Sequence, residues 1–574
     1  MRERNWIRRS QWARGGVRVC LHVLAFVVRC AFIPCAASRT GAVHFPGSTL
    51  STMLTSITLT SNTRSLAADV LAAFSVALVL IPQALAYASL AGMPPTYGLY
   101  AATLPLLCAA VFASSAYLQT GPVAMTSLLT LAALSPLAAP GSSDYVLLAP
   151  MLALVVGVVR VAVGLAHAGF FAYLLSQPAL MGFSSGAALL ICASQVPATF
   201  GVQAAAAGAG SSAIAAVQWT LLHPTLWCWG AIALCTFTIV LLLVGRRLHP
   251  LFPAVLIAVA AGVLATQAGL DVGPRIADVS VSWPPPTFAL PWAQLPHLLL
   301  PGLVIAFVGF AEPAAVARTL ATQSRTNWNA DRELLAQGAA NIASAAVGGF
   351  PVGGSFSRTT LARLAGARSR WCGAFVGLWV CVALPWVHWL HALPQAVLAG
   401  IVIASVVALV QLSPMLRLFA LSRAQAVVAW GTFVLTIALA PRIDIAVLLG
   451  VGLGIAVHLW RERRIAVHAE YNPHTDELRL EPVGVLYFGS APVLDDALIV
   501  ALSEHPAARS LVIDLRRLGR IDYTGAVVLQ RVAADAEVAG LHVRVIPGLP
   551  LQGREILLRV FGAQQRWIDE SDAA

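Results

Sequence analysis

Between Leu66 and Trp460 the chain is a series of apolar runs, most about one bilayer long, joined by short polar links. A backbone surrounded by lipid must satisfy every N–H and C=O internally, so runs of this kind fold as packed helices. Of the 574 residues, 58% are hydrophobic and 11% charged, with a mean hydropathy of +0.79, which excludes a soluble globular fold for most of the length. From about Ala466 onward the charge density is ordinary and the apolar runs are short and alternating, so a small soluble domain is expected there. The expected organisation is an N-terminal segment (1–65), a helical membrane domain (66–462), a soluble α/β domain (466–569) and a tail (570–574).

Fourteen apolar segments can be read: Leu66–Leu90, Tyr97–Ala113, a short third near Val123–Leu137, Tyr145–His167, Gln177–Phe200, Thr225–Val244, Phe252–Leu270, Leu299–Arg318, Glu333–Val347, a short tenth near Ser355–Leu364, Trp371–Trp389, Pro394–Val410, Ala424–Ala440 and Asp444–Trp460. A Pro-rich external stretch, Trp283-Pro284-Pro285-Pro286, separates the seventh from the eighth. With the N-terminus in the cytosol, links after even-numbered segments should be basic. From the sixth onward they are: Arg246 and Arg247, then Arg318 and Arg325, Arg363, Arg368 and Arg370, Arg417 and Arg423, and finally Arg461, Arg463 and Arg464. An even count puts the C-terminal domain in the cytosol as well.

The third and tenth segments are short and occupy corresponding places in a seven-plus-seven division. Paired interruptions of this kind are the sequence mark of a transporter binding site. The tenth opens Pro351-Val352-Gly353-Gly354-Ser355-Phe356-Ser357-Arg358. Gly353 and Gly354 are expected to bend the chain, Ser355 to cap a new helix, and Ser357 and Arg358 to fall in its first turn. Arg358 then lies at bilayer depth, where a charge costs about 2.5–3.5 kcal/mol on insertion scales. A guanidinium beside free helix N–H groups is an anion site. The third opens Thr120-Gly121-Pro122-Val123, with Gly121 turning the chain and Pro122 suited to the first helical position.

All 36 basic residues are arginine, and the net charge of +11 follows the cytosolic links, so no nucleic-acid partner is implied. Nine cysteines are scattered without a CxxC pair, and the histidines fit no metal-ligand spacing, so neither disulfides, metal nor cofactor is expected. Residues 1–52 start with Arg2, Arg4, Arg8 and Arg9 before an apolar run. They read either as a loose signal peptide or as the product of a start placed upstream of Met53.

Four stretches resemble the SulP family of anion permeases: Asp69 through Tyr100, including Ile81-Pro82-Gln83-Ala84-Leu85-Ala86-Tyr87 and Pro94-Pro95-Thr96-Tyr97-Gly98; Gly121-Pro122; Glu312 through Arg358; and, in the soluble domain, Val512-Ile513-Asp514-Leu515 with Ile521-Asp522-Tyr523-Thr524-Gly525, which resembles a STAS domain. The resemblance implies a seven-plus-seven inverted repeat. Its core, segments one to four and eight to eleven, would move like an elevator against a gate, and the protein would form a homodimer. It implies an anion site between the third and tenth segments, lined by Gln83, Tyr87, Gly121, Pro122, Val123, Ser355, Phe356, Ser357 and Arg358.

Glu312, in Gly309-Phe310-Ala311-Glu312-Pro313, is the candidate proton carrier, paired to Arg358 until an anion competes for the guanidinium. Sodium-coupled relatives carry an aspartate there with a threonine one turn on; this chain has Glu312 and Val316, against a sodium site. Asp331 and Glu333 read as helix-start charges, and Asn341 as a bond across helices. In the STAS-like loop Tyr523 stands where a phosphorylatable serine is found in anti-sigma-factor antagonists, against a switch by that route. The function expected is secondary transport of an inorganic oxyanion, sulfate first, with protons, in a bacterial-type inner membrane. Bicarbonate or chloride exchange and dicarboxylate transport are the alternatives on the same fold, and a membrane-anchored signalling protein is a third. No enzyme chemistry is visible.

Overall fold

The computed structural model describes residues 63–170, 176–203, 213–249, 251–276, 290–463, 465–548 and 551–562. The N-terminal stretch 1–62, the Pro-rich stretch at 283–286 and the tail 570–574 lie outside the described residues. Contacts divide the chain into two units, Met1–Val451 and Gly452–Ala574.

In the first unit a helix occupies each expected segment. Among the described residues eight helices are long and apolar enough to cross a membrane, Ser65–Leu90, Ser143–Leu165 and Gln177–Thr199 being the first three. The second segment is not continuous. It breaks between the helices Thr96–Ala101 and Leu104–Phe112, where Pro105 opens the second piece. Two helices had no counterpart in the reading, Ala213–Leu222 and Leu412–Leu421.

The helices gather into two bundles. In one, Ala330–Ala346 packs along Ser143–Leu165 and Leu104–Phe112, while Trp371–Ala383 packs on Thr63–Leu90 and Leu104–Phe112. Gly157 and Gly338 let the first pair approach closely: a Cβ on Gly157 would stand 2.9 Å from the Gly338 carbonyl oxygen. In the other, Gln177–Thr199 packs on Arg423–Ala438, and Trp229–Leu248 on Gln395–Val406.

The two short helices grow from a two-stranded antiparallel ribbon, β1 (Gln119–Gly121) and β2 (Gly353–Ser355). Gln119 pairs with Ser355, Thr120 with Gly354, and Gly121 with Gly353. A buried ribbon has two outer edges that no third strand covers, and those polar groups must find partners. Side chains supply them. The Asn341 amide accepts from Val352 N at 2.9 Å and donates to Val352 O at 3.0 Å, as a neighbouring strand would. Gln119 N donates to Thr359 Oγ1 at 2.9 Å. Gln337 Nε2 donates to Thr120 Oγ1 at 2.7 Å.

The second unit holds a five-stranded sheet. Its path runs β3 (Ala466–Asn472), β4 (Glu477–Leu486), β5 (Ser510–Asp514), β7 (His542–Ile546), with β6 (Leu518–Ile521) also on β4. Only the β3–β4 pair is antiparallel. The strand β4 carries an irregularity at Gly484/Val485. Its first half pairs with β5 and its second with β6. The helices Ala491–Glu504, Tyr523–Val538 and Leu551–Phe561 cover an apolar core that includes Leu480, Ile513, Leu529 and Val545. At the end of β5, burial raises the Asp514 carboxyl. The paired Arg516 guanidinium, donating at 2.6–3.1 Å, outweighs this and holds it below the usual carboxylate range.

Truncating Asn341→Ala leaves the Val352 N–H buried without a partner, which costs about 1–3 kcal/mol. The purified protein is expected to unfold at a lower temperature than the parent, and an unchanged midpoint in a thermal melt would contradict the edge-cap role.

Candidate functional site

Where the ribbon ends, the two short helices begin. Val123 is extended (φ −140°, ψ 150°) at the start of Ala124–Leu134. Ser355 caps Phe356–Leu364, its Oγ accepting from Arg358 N at 3.4 Å and lying 3.4 Å from Ser357 Oγ. The strands are antiparallel, so the helices leave from opposite ends of the ribbon and their positive ends meet across it.

Arg358 is 1% exposed, and among the described residues its buried Nη1 and Nη2 have no hydrogen-bond partner. Its Nη2 lies 3.4 Å from the point a Cβ on Gly121 would occupy, so the guanidinium rests against the ribbon backbone. A cavity of about 590 Å³ opens beside it. Gln83, Tyr87, Val123, Glu312, Ser355, Phe356, Ser357 and Arg358, all candidates from the sequence, line it together. Gln83 is buried, and its Oε1 also has no partner. Tyr87 follows one turn later on the same helix, with its hydroxyl facing Ser405.

Several expectations are corrected. Gly121 and Pro122 are not among the lining residues; they shape the site from behind. Pro122 precedes the Val123 cap and does not occupy the first helical position. Gly353 and Gly354 do not bend the chain but form the strand β2. Glycine is needed at 354 for approach: a Cβ there would stand 2.8 Å from Pro313 Cβ and 2.9 Å from Leu118 Cδ1. Glu312 is half-buried and lines the cavity, yet among the described residues it forms no ion pair with Arg358, whose terminal nitrogens have no partner. Glu333, at the start of its helix as read, is buried and also ties the preceding loop, accepting from Ser114 N at 3.1 Å and Ser115 N at 2.8 Å.

The sequence reading missed the far wall. Ser184, Arg246, Val255 and Ser405 come from the second bundle and line the same cavity. Arg246 had been read only as a cytosolic link charge. Arg160 was missed too, although a charge inside the fourth apolar segment is the same signal that singled out Arg358.

A many-helix membrane bundle with a cavity between its two bundles, and a buried guanidinium in the first turn of a short helix at that cavity, is an architecture suited to carrying an anion across a membrane. A model described as the sulfate permease family matches residues 66–432. A probable sulfate transporter of Mycobacterium tuberculosis (strain CDC 1551 / Oshkosh) is 35% identical over 427 residues, 73% of each chain. The chloroplastic sulfate transporter 4.1 of Arabidopsis thaliana is 30% identical over 434 residues, 73% of this chain and 61% of its own. The chain belongs to the sulfate permease family. Its fold is that of the murine Solute Carrier 26 family member A9 anion transporter in the inward-facing state, with a TM-score of 0.81 at 18% identity over 93% of this chain and 94% of that one. The transmembrane domain of a cyanobacterium bicarbonate transporter matches 69% of this chain and 98% of its own with a TM-score of 0.59 at 20% identity.

Gly354→Ala is expected to destabilise the protein by about 1–3 kcal/mol through overpacking against Pro313. Gly452→Ala, with nothing within 4 Å of its added Cβ, is the matched control. Equal melting temperatures for the two variants would show that the ribbon tolerates a side chain.

Proposed function

We propose that the chain is a secondary active transporter of an inorganic oxyanion, sulfate foremost, driven by protons across a bacterial-type inner membrane with both termini cytosolic. The observation that carries this reading is the pair of buried, unpartnered guanidinium nitrogens of Arg358 where two helix N-termini meet beside a cavity. Burying an unpaired charge is expensive, and an oxyanion supplies the missing acceptors. Gln83 and the Ser355 and Ser357 hydroxyls add polar contacts, and Val123 and Phe356 give apolar walls. Sulfate is placed first because the two sequence relatives described above are named as a probable sulfate transporter and a sulfate transporter; bicarbonate, chloride and dicarboxylates are the competing cargoes.

In this reading Glu312 takes the coupling proton. Its link to the anion runs through the shared cavity and not through an ion pair with Arg358. An ionised Glu312 and an incoming dianion repel one another there, so the two enter most easily when Glu312 carries a proton. A dianion moving inward against 100 mV faces about 4.6 kcal/mol, and each proton removes about 2.3 kcal/mol of that. The first bundle holds segments one to four and eight to eleven, and we take it as the moving core of an elevator built on the seven-plus-seven repeat, with the second bundle as gate. The C-terminal sheet unit we read as a STAS domain that regulates the membrane part, and the working form as a homodimer.

Uptake of radiolabelled sulfate into proteoliposomes under an inward acid gradient tests the reading. Arg358→Ala is expected to weaken sulfate affinity roughly 30-fold or more, the loss of about 2 kcal/mol from a buried charge contact. Glu312→Gln is expected to keep sulfate–sulfate exchange while losing acceleration by the pH gradient. Uptake indifferent to both substitutions would sink the site, and an anion panel in which bicarbonate or a dicarboxylate outcompetes sulfate would reassign the cargo.

A further inference from the structure

Arg160 lies inside the helix Ser143–Leu165 and is 1% exposed. Its Nε donates to Ala306 O at 3.0 Å, its Nη2 to Ile305 O at 3.2 Å and its Nη1 to Val352 O at 3.1 Å. Among the described residues no carboxylate pairs with it. A buried arginine without a counter-charge is costly, and an apolar side chain of similar volume would avoid that cost.

Hydrogen bonding alone does not account for it. Ile305 and Ala306 are inside the continuous helix Leu295–Ser324, and the residues four further on, Gly309 and Phe310, both carry N–H groups for their carbonyls. Val352 O already accepts from Asn341. No backbone acceptor needs Arg160; besides tying these elements together it adds a fixed positive charge.

That charge is directly behind the candidate site. The point a Cβ on Gly309 would occupy lies 2.8 Å from Arg160 Nη2 and 3.2 Å from Thr126 Cγ2, in the first turn of the short helix Ala124–Leu134. Val352 leads into the ribbon strand that ends at the Ser355 cap.

We propose that Arg160 is an electrostatic positioning residue of the anion site: it never touches the anion, but its charge adds to that of Arg358 and the two helix N-termini and biases the cavity toward a dianion. The Coulomb term scales with the ligand's charge, so a fixed cation near the site favours a doubly charged ligand over a singly charged one. This inference rests on the anion-site reading proposed above.

The test measures sulfate binding by the purified full-length protein, parent against Arg160→Lys and Arg160→Gln, with monodispersity and melting temperature recorded for each. Arg160→Lys keeps the charge and three donors and is expected to bind sulfate within about threefold of the parent. Arg160→Gln removes the charge and is expected to weaken binding about tenfold or more while remaining folded. Parent-like binding by Arg160→Gln overturns the inference, as does an equal loss in both variants when both are folded. Should Arg160→Gln fail to fold, Arg160→Lys decides alone: parent-like binding supports the role of charge, and weakened binding overturns it. A parent that binds no sulfate sinks the site reading and this inference together, whereas a binding parent with an indifferent Arg160→Gln sinks only the latter.

Discussion

A helix that begins in the middle of a membrane exposes N–H groups where there is no water to receive them. The structure answers this with the ribbon of Gln119–Gly121 and Gly353–Ser355. Pairing the two strands brings two such helix starts to one place, so the exposed donors are concentrated instead of scattered. The arrangement then depends on backbone approach. Gly354 lies under Pro313 at a distance that leaves no room for a side chain, and Gly121, at φ +150°, lies close under Arg358 in a conformation that side chains disfavour. The outer edges are closed by Asn341 and Thr359, whose bonds to the ribbon fix its register.

Two fully buried arginines flank this ribbon, and they differ in kind. Arg160 is held by three carbonyl oxygens. Arg358 leaves both terminal nitrogens without a partner and stands at the cavity. The contrast separates a cation whose donors the scaffold satisfies from one whose donors face the cavity unmet, as the proposed anion site requires. An Arg358 left unpaired with Glu312 also favours the proposed anion site, since a guanidinium already neutralised by a carboxylate would offer an anion much less.

The sequence made the helix starts legible because their chemistry is local. Ser355 three residues before Arg358 specifies a cap, and a charge within an apolar run specifies a candidate site, so Ser355, Ser357 and Arg358 are read from local chemistry, whereas Gln83 comes from the family resemblance; all four line the cavity. The ribbon was not legible. Gly353-Gly354 reads as a bend, and only Pro313 and Leu118, neighbours from elsewhere in the chain, reveal that it is a strand needing clearance. The far wall was hidden for a similar reason. Ser184 and Ser405 sit in unremarkable apolar segments and matter only because two bundles face each other. In the C-terminal unit, the short alternating runs mark an α/β domain but not β3 or β6, which are short or exposed along much of their length and owe their place to pairing with β4.

The division of the cavity between the bundles bears on how transport would be coupled. Gln83, Val123, Glu312 and Arg358 belong to the first bundle, and Arg246 and Ser405 to the second. The proposed proton carrier and the proposed anion ligand therefore ride on the same body. Under an elevator mechanism the bound anion and the proton on Glu312 would cross together, and the second bundle need only change which side of the cavity it covers. A carrier on the opposite bundle would be left behind at each stroke and could set the timing of release but not move a proton. The shared body, more than any direct bond between Glu312 and Arg358, would be the physical basis of the symport proposed above.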